Sequence, residues 1–168
     1  VTAIETVNIL KEKGFDRISE ATVGSGLMNA VWPGRLEMVC KDPVFLIDGA
    51  HNAEGAQTLA GNLKKYFPGK NIIAIIGVLK DKDYKSIIEP LIPIASEFIA
   101  VKPQNDRGME SQDLAIILRD YCNNVSVSDT IEEAIGISLK RVTEDGIICA
   151  YGSLYYIGEI RKYFSIKK

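Results

Sequence analysis

Short apolar runs alternate with amphipathic segments along most of this chain, and this alternation constrains the fold more than any other feature of the sequence. Such runs are typical of strands that are buried on both faces, as in a parallel sheet. The predicted strands lie at residues 44–47, 72–78, 97–101, 125–127 and 146–151. The segments between them carry apolar residues at helical spacing. Strands and helices that alternate in this way predict a Rossmann-like, doubly wound α/β sheet with helices on both faces.

One more strand is predicted at residues 35–40, where apolar and polar residues alternate. A short turn at residues 41–43 joins it to the run at residues 44–47. Two strands joined so closely must pair antiparallel, because a parallel pair needs a crossover of about a dozen residues. We therefore expect about six strands, of which five are parallel and one, at the N-terminal side, is antiparallel.

Residues that cap or end helices mark the borders of the helical segments. Ser111 is predicted to cap one helix, and Thr130 with Glu133 is predicted to form a capping box at the start of the next. Pro90 and Pro93 are expected to shorten or bend the helix that lies around them. These positions predict helices short enough to connect neighbouring strands.

The first 31 residues differ from the rest of the chain, because they carry no apolar run typical of a strand. They are predicted to form two helical segments, at residues 2–13 and 19–27. The predicted organisation is a helical appendage and linker at residues 1–31, followed by an α/β domain at residues 32–168. Because the chain begins with Val1 and not with methionine, we expect it to be a piece of a longer protein.

Composition excludes several functional classes. The formal net charge of −2 gives no electrostatic footprint for nucleic acid, which usually requires a clustered basic face. No apolar stretch approaches the roughly 18 residues of a membrane span. The three cysteines, Cys40, Cys122 and Cys149, are widely spaced and lie in or beside apolar runs. They indicate the reduced, largely buried thiols of a cytosolic protein, and neither a disulfide framework nor a zinc site.

The residues that follow the run at 44–47 are the first candidates for a functional site. Asp48, His51 and Asn52 stand between a strand end and a helix start, and His51 is the only histidine in the chain. Open α/β sheets bind ligands outside the carboxyl ends of their strands, and a helix N-terminus favours an anion. These residues therefore favour a nucleotide or phosphate site. Asp48 and Asn52 also suit a simple turn, so both interpretations stay open at this point.

The chain lacks a G-x-x-x-x-G-K-[ST] phosphate loop, and a single histidine gives no convincing catalytic triad. Its residues alone indicate a ligand-binding α/β domain whose machinery for phosphoryl transfer is incomplete. A stand-alone nucleotide- or amino-acid-binding module is therefore one of the alternatives.

Four segments, in order, resemble one enzyme family. Residues 48–52 are similar to the D-G-A-H-N signature of folylpolyglutamate and dihydrofolate synthases, which are relatives of the Mur ligases, although Ala53 stands where proline usually follows. Residues 32–37 resemble the family's W-P-G-R-x-E motif, and residues 77–83 and 152–155 resemble two further segments. Together they resemble the C-terminal domain of these enzymes. The matching domain of another Mur-type amide ligase is an alternative that fits D-G-A-H-N less well.

The resemblance implies an ATP-dependent ligase that activates a carboxylate as an acyl phosphate and joins it to the amino group of glutamate. It implies L-glutamate and folate or dihydropteroate as substrates, with ATP and Mg²⁺ as cofactors. It also implies a missing N-terminal ATPase domain of the same chain, which would hold the phosphate loop and the Mg²⁺ ligands. The full-length enzyme is expected to be a cytoplasmic monomer, and this piece alone is expected to be inactive.

The same resemblance implies roles for individual residues. The residues expected to contact ATP are Arg35, Asp48, His51, Asn52 and Tyr155. The residues expected on the glutamate or substrate side are Lys82, Asp83 and Ser153. Neither a complete catalytic set nor a metal site is expected in this chain.

Overall fold

A computed structural model describes residues 2–15 and 17–166. The chain divides into two compact units, and the boundary lies between Pro33 and Gly34. The predicted frayed tail at residues 167–168 lies outside the described residues.

The first unit contains two helices, α1 (Thr2–Glu12) and α2 (Glu20–Met28). Ser19 caps α2, because its hydroxyl oxygen accepts a hydrogen bond of 3.1 Å from the Thr22 N–H. Every residue of both helices is described, and none of them is buried. Neither helix therefore contributes a side chain to a hydrophobic core.

The described part of the second unit contains six strands and five helices. In chain order these are β1 (Glu37–Lys41), β2 (Val44–Ile47), α3 (Ala53–Tyr66), β3 (Ile72–Ile76), α4 (Tyr84–Ile88), β4 (Ala95–Ala100), α5 (Ser111–Arg119), β5 (Val125–Val127), α6 (Ile131–Arg141), β6 (Ile147–Tyr151) and α7 (Leu154–Ile166). The predicted α/β alternation is confirmed.

The strands form one sheet in the order β1-β2-β6-β3-β4-β5. β1 pairs with β2 antiparallel, and every other pairing is parallel, as predicted. β6 is the last strand in the sequence, yet it lies between β2 and β3. The strand at residues 44–47 is therefore second from one edge and not at the centre of the sheet.

Helices cover both faces of this sheet because successive strand residues point to opposite sides. On one face, strand residues such as Leu46 and Cys149 pack in a core with side chains from α3, α4 and α5. On the other face, residues such as Phe45 and Ala150 pack with α6 and α7. The doubly wound architecture follows from these two cores.

One of the predicted helix caps differs from the structure. Ser111 is the first residue of α5 and not its cap; Glu110 holds the cap position and makes no capping hydrogen bond. Its carboxylate is instead paired with Lys102 at 2.7 Å. The Thr130 hydroxyl does cap α6, since it accepts a hydrogen bond of 3.1 Å from the Glu133 N–H.

The cysteines and the helix lengths bear on two further expectations. All three thiols are free; Cys149 is buried, whereas Cys40 and Cys122 are half-buried. Within the described residues, no helix has both the length and the apolar character that a membrane span requires.

Candidate functional site

Three polar loops leave the sheet side by side, because β2, β6 and β3 are adjacent and parallel. Backbone hydrogen bonds tie the first two loops together: the Gly152 N–H donates to the Ala50 carbonyl at 2.8 Å, and the Asp48 N–H donates to the Ala150 carbonyl at 2.9 Å. The sheet register thus brings together the segments whose motifs lie about a hundred positions apart in the sequence.

Asp48 holds the first of these loops in shape. Its Oδ2 accepts a hydrogen bond of 2.7 Å from the Leu36 N–H, and its Oδ1 accepts one of 2.8 Å from the Ala50 N–H. Both oxygens of the carboxylate therefore bind backbone groups on opposite sides of the β2 end. Asp48 joins the entry into β1 to the loop that precedes α3.

Asn52 caps α3, as its sequence position allowed. Its side-chain oxygen accepts a hydrogen bond of 2.8 Å from the Gly55 N–H. The remaining N–H groups of the first turn belong to the positive end of the helix dipole, which attracts anions such as phosphate. This helix start is one wall of the larger of two cavities at the site.

The larger cleft has a volume of about 520 Å³, which is within the usual range for small-molecule sites. Its lining includes Arg35, Asp48, Gly49, His51, Asn52 and Thr58. The Arg35 side chain is exposed, and no hydrogen bond or ion pair ties it to another described residue. A guanidinium beside a helix N-terminus is suited to bind a polyanion.

Gly49 permits the close packing between this cleft and its neighbour. A Cβ atom there would lie 2.4 Å from Arg35 Nη1 and 2.3 Å from Leu154 Cδ2. Both distances are too short for real atoms. The absence of a side chain therefore lets Arg35 and Leu154 both approach the loop backbone at Gly49.

The smaller pocket has a volume of about 200 Å³ and shares His51 with the larger cleft. Its lining includes His51, Leu79, Lys82, Arg107, Ser153 and Tyr155. The pocket is smaller than the usual sites of drug-sized ligands, so it suits a compact metabolite.

His51 has a defined orientation in the wall between the two cavities. Its Nδ1 lies 2.7 Å from the carbonyl oxygen of Gly49. Because a carbonyl oxygen can only accept, Nδ1 must carry the proton of this hydrogen bond. In the neutral ring, Nε2 is then a hydrogen-bond acceptor available to a ligand.

Residue Tyr156 anchors the β6–α7 side of the smaller pocket. Its buried hydroxyl lies within hydrogen-bond distance of the carbonyl oxygens of Ile75, at 3.0 Å, and of Tyr151. Burial raises the pKa of Tyr156 well above its ordinary value, so the group stays neutral. The adjacent residues Ser153 and Tyr155 are therefore carried on a helix start that is fixed to the sheet.

The sequence-predicted residues divide between the two cavities. Tyr155 lies in the smaller pocket with Lys82 and Ser153, not in the larger cleft. Asp83 lines neither cavity; its carboxylate accepts a hydrogen bond of 3.4 Å from the Ser86 N–H and caps α4. Arg35, Asp48, His51 and Asn52 all border the larger cleft.

Arg107 is a pocket residue that the sequence motifs do not include. It lies in the β4–α5 loop and forms a two-point ion pair with Asp81 of the β3–α4 loop, from Nε at 3.2 Å and from Nη2. The hydrogen bond from Arg107 holds the pKa of Asp81 below its ordinary value. The pKa of Arg107 is raised, mainly by Asp81 and to a smaller extent by the nearby Tyr155.

No group of three or more His, Cys, Asp or Glu side chains arranged to hold a metal ion occurs among the described residues. The cationic side chains that line the two cavities are Arg35 in the larger cleft and Lys82 and Arg107 in the smaller pocket.

Residues 34–154 match the family described as "Mur ligase, glutamate ligase domain". The match covers more than half of the chain. It includes every residue that lines the two cavities except Tyr155. The chain belongs to this glutamate ligase domain family.

Relatives of this glutamate ligase domain carry consistent names. Dihydrofolate synthase/folylpolyglutamate synthase of Bacillus subtilis is 34% identical over 153 residues, which are 91% of this chain and 35% of that protein. The structure of Mycobacterium tuberculosis folylpolyglutamate synthase complexed with ADP matches with a TM-score of 0.82 at 25% identity, over 88% of this chain and 35% of that chain. E. coli FolC in complex with DHPP and ADP has a TM-score of 0.85 at 22% identity, over 96% of this chain and 38% of that chain, and at this identity it supports the fold alone.

This chain spans about a third of the length of these relatives. Their names confirm the resemblance to the C-terminal domain of folylpolyglutamate and dihydrofolate synthases. The sequence analysis did not identify Arg107, because its loop at residues 102–108 lies outside the four segments that resemble the family. Its importance depends on Asp81, which lies 26 positions earlier in the chain.

Proposed function

We propose that this chain acts as the C-terminal domain of an ATP-dependent ligase that adds L-glutamate to folate or dihydropteroate. The acceptor carboxylate attacks the terminal phosphorus of ATP, which releases ADP and forms an acyl phosphate. The neutral amino group of glutamate then attacks the acyl carbon, forms the amide bond and releases inorganic phosphate. The proton that the ammonium group loses passes to a base or to water.

One observation carries this proposal: the larger cleft and the smaller pocket meet at His51. A ligase of this kind must hold a phosphorylated intermediate and an amine side by side while both are kept in position. The larger cleft offers anion-binding groups, whereas the smaller pocket has room for a compact amino acid. Their shared wall is therefore the expected place of bond formation.

The larger cleft suits the nucleotide. Arg35 is placed to bind phosphate oxygens with its fork of donors, and the α3 N-terminus favours the same negative charge. The relative from Mycobacterium tuberculosis is complexed with ADP, which supports nucleotide binding in this family. We assign Asp48 and Asn52 to shaping this cleft, because their side-chain oxygens already bind backbone N–H groups.

The smaller pocket suits L-glutamate, which carries two carboxylates and one ammonium group. Lys82 and Arg107 supply two positive charges, and Ser153 supplies a hydroxyl. His51 Nε2 is an acceptor that can bind the amino group at the border of the pocket. We assign Tyr155 to this side of the site because it lies in the same pocket.

Magnesium accompanies ATP in phosphoryl transfer, but the described residues do not offer it a site. The ionisable residues that line the two cavities are three cations (Arg35, Lys82 and Arg107), the carboxylates of Asp48 and Glu54, a histidine and a tyrosine. We therefore assign the Mg²⁺ ligands and the phosphate loop to an N-terminal ATPase domain of the same protein. The unit before Gly34 is assigned to the end of that domain.

The architecture can be tested at the gene and in the protein. A phosphate-loop motif encoded upstream of Val1 would support it, and an unrelated upstream sequence would contradict it.

Limited proteolysis of the 168-residue chain should remove the first unit before it cuts the sheet, because α1 and α2 bury no side chain. Equal protection of both units would show that the first belongs to the same core.

The activity is tested with the full-length protein. ATP, Mg²⁺, radiolabelled L-glutamate and either dihydropteroate or folate should give a labelled conjugate, with one phosphate released per amide bond. The 168-residue chain alone should give none. Ligation of glutamate by the chain alone, or none by the full-length protein with either acceptor, contradicts the proposal.

A further inference from the structure

We infer that Arg107, oriented by Asp81, binds the side-chain carboxylate of the amino-acid substrate and makes the smaller pocket selective for an acidic amino acid. This inference rests on the proposed function and assigns the part of the site that recognises the side chain. Asp81 acts through Arg107 and is a positioning residue.

The backbone around Arg107 is fixed without the help of its side chain. The Lys80 N–H donates to the Arg107 carbonyl at 2.8 Å, and the Met109 N–H donates to the Val78 carbonyl at 2.9 Å. Leu79 and Gly108 form an isolated antiparallel bridge between the same two loops. The β3–α4 and β4–α5 loops are thus joined by main-chain hydrogen bonds.

Gly108 makes this junction tight. A Cβ atom at this position would lie 2.6 Å from the carbonyl oxygen of Pro103 and 3.0 Å from that of Asn105. The loop therefore cannot accept a side chain immediately after Arg107. The backbone that carries the Arg107 side chain is therefore fixed in position.

The ion pair between Arg107 and Asp81 adds little to holding the loops, since exposed pairs contribute little to stability and the backbone already joins them. Its effect is on the guanidinium itself. Asp81 accepts from Nε and from one N–H of Nη2 and so fixes the plane of the guanidinium at the edge of the pocket. The second N–H of Nη2 and both N–H groups of Nη1 are left for a ligand. A long side chain held in place before binding loses less entropy when the ligand arrives.

The strand order indicates which end of the substrate Arg107 meets. His51 follows β2 and Arg107 follows β4, and these strands are three places apart in the order β2-β6-β3-β4. At the usual strand spacing their loops leave the sheet about 14 Å apart. The amino group must lie near His51, where the two cavities meet, so the side chain of the substrate extends toward Arg107.

The residue type also favours Arg107 over Lys82 for this contact. A guanidinium is planar and matches the two oxygens of a carboxylate, whereas an ammonium group is a point charge on a flexible stem. Lys82 lies on the β3–α4 loop, between the loops of His51 and Arg107 in the order along the sheet edge. It is therefore better placed for the α-carboxylate than for the side chain.

The test compares L-glutamate with L-glutamine in the full-length ligase, because the two have nearly the same size and differ only in the end group, which is a carboxylate or a neutral amide. Arg107→Gln should raise the KM for glutamate roughly ten- to a hundredfold, the value of one hydrogen bond to a charged group, with little change in kcat. The ratio of kcat/KM for glutamate over glutamine should fall by the same factor. A residue that only supported the fold would affect both amino acids alike.

Further variants separate the charge, its orientation and the fold. Arg107→Lys should recover part of the lost preference, and Asp81→Asn should raise the KM for glutamate by a smaller factor, since Arg107 is still present but less well oriented. Lys102→Gln is the matched control, because it breaks a neighbouring ion pair of the same loop, outside the pocket. It should leave both parameters unchanged, and melting temperatures should show all variants folded.

The outcomes distinguish the inference from the proposed function. If the full-length wild type does not ligate glutamate, both the proposed function and the inference are wrong. If the wild type ligates glutamate and the Arg107→Gln variant keeps the wild-type preference for glutamate over glutamine, the inference alone is wrong. If Arg107→Gln does not fold, Arg107→Lys and Asp81→Asn decide, and an unchanged KM in both overturns the assignment.

Discussion

Two aspartates, Asp48 after β2 and Asp81 after β3, lie at the same edge of the sheet and hold different partners. Asp48 is half-buried, and each of its oxygens binds a backbone N–H group. Asp81 is exposed and binds the guanidinium of Arg107. The first carboxylate holds the main chain, and the second holds another side chain. A carboxylate at a strand end can therefore stabilise the backbone or orient a side chain that binds a ligand. The group to which it is hydrogen-bonded distinguishes the two roles.

The largest effect is expected from two side chains that line the larger cleft, Arg35 and His51. In the full-length ligase, Arg35→Ala and His51→Ala should each reduce the ligation rate by about two to three decades. Arg35→Ala removes a charged donor from the transferring phosphoryl group, which is worth this much. His51→Ala removes the acceptor that positions the attacking amino group, and a misplaced reactant costs about a hundredfold or more. Their melting temperatures should stay close to that of the wild type.

Arg119→Ala is the control for these variants, since Arg119 is an exposed arginine in the last turn of α5. It should change neither the rate nor the melting temperature. Early melting of the Arg35 or His51 variant, with a normal rate per folded molecule, would mean that these residues belong to the scaffold.

Asp48→Ala should affect the stability of the domain. Two hydrogen bonds to a charged group are lost, so the free energy of unfolding is expected to fall by about 2–4 kcal/mol, measured by urea denaturation. Asp48→Asn retains one acceptor and should lose less. Asp81→Ala should leave the urea midpoint unchanged. Equal destabilisation by the two alanine substitutions would contradict the different roles assigned to the two aspartates.

Gly49→Ala should have a smaller effect that falls on binding. The new Cβ would displace the ends of the Arg35 and Leu154 side chains, which can move, so the loss of stability should be about 1 kcal/mol. The KM for ATP should rise roughly tenfold, the low end for one charged hydrogen bond. Gly61→Ala is the matched control, since a Cβ there meets no other atom within 4 Å; an equal rise in that variant would contradict the role of Gly49.

The smallest effect is a shift in titration. The pKa of the Asp81 carboxyl should lie below its ordinary value of 3.8 in a ¹³C NMR titration, and it should rise in Arg107→Gln. A lowered folded pKa means that the ion pair contributes above the unfolded pKa and is lost as the pH falls through the folded value. Lys102→Gln should leave Asp81 unchanged and raise the pKa of Glu110 instead. An Asp81 pKa that is insensitive to Arg107 would show that the pair does not persist in solution.

Much of the fold could be predicted from the sequence because buried strands leave a continuous apolar signal. The carboxyl ends of parallel strands meet at one edge of a sheet, so the predicted parallel arrangement is enough to place the loops after residues 48, 78 and 151 at the same edge. The position of β6 between β2 and β3 could not be predicted, because periodicity reports the existence of a strand and not its neighbours. Ser111 was assigned as a cap because its residue type suits one, but the chain enters the helix one residue earlier, at Glu110.

The candidate site was predictable only in part for the same reason. Asp48 and Asn52 act on backbone groups within a few residues or on an adjacent strand, and such local roles are visible in a motif. Arg107 becomes part of the site through a partner on a different loop, and the sequence contains no local signal for it. Division of the predicted residues between two cavities likewise depends on the order of the strands.

The position of β6 also governs when this domain can fold during synthesis. Until residues 147–151 have left the ribosome, the β1–β2 hairpin and the strands β3 to β5 have no common partner. The nascent chain then carries two sheet fragments, each with an edge of unpaired backbone groups that other chains can bind. As the last strand of the described sheet, β6 pairs with both fragments and so covers one edge of each.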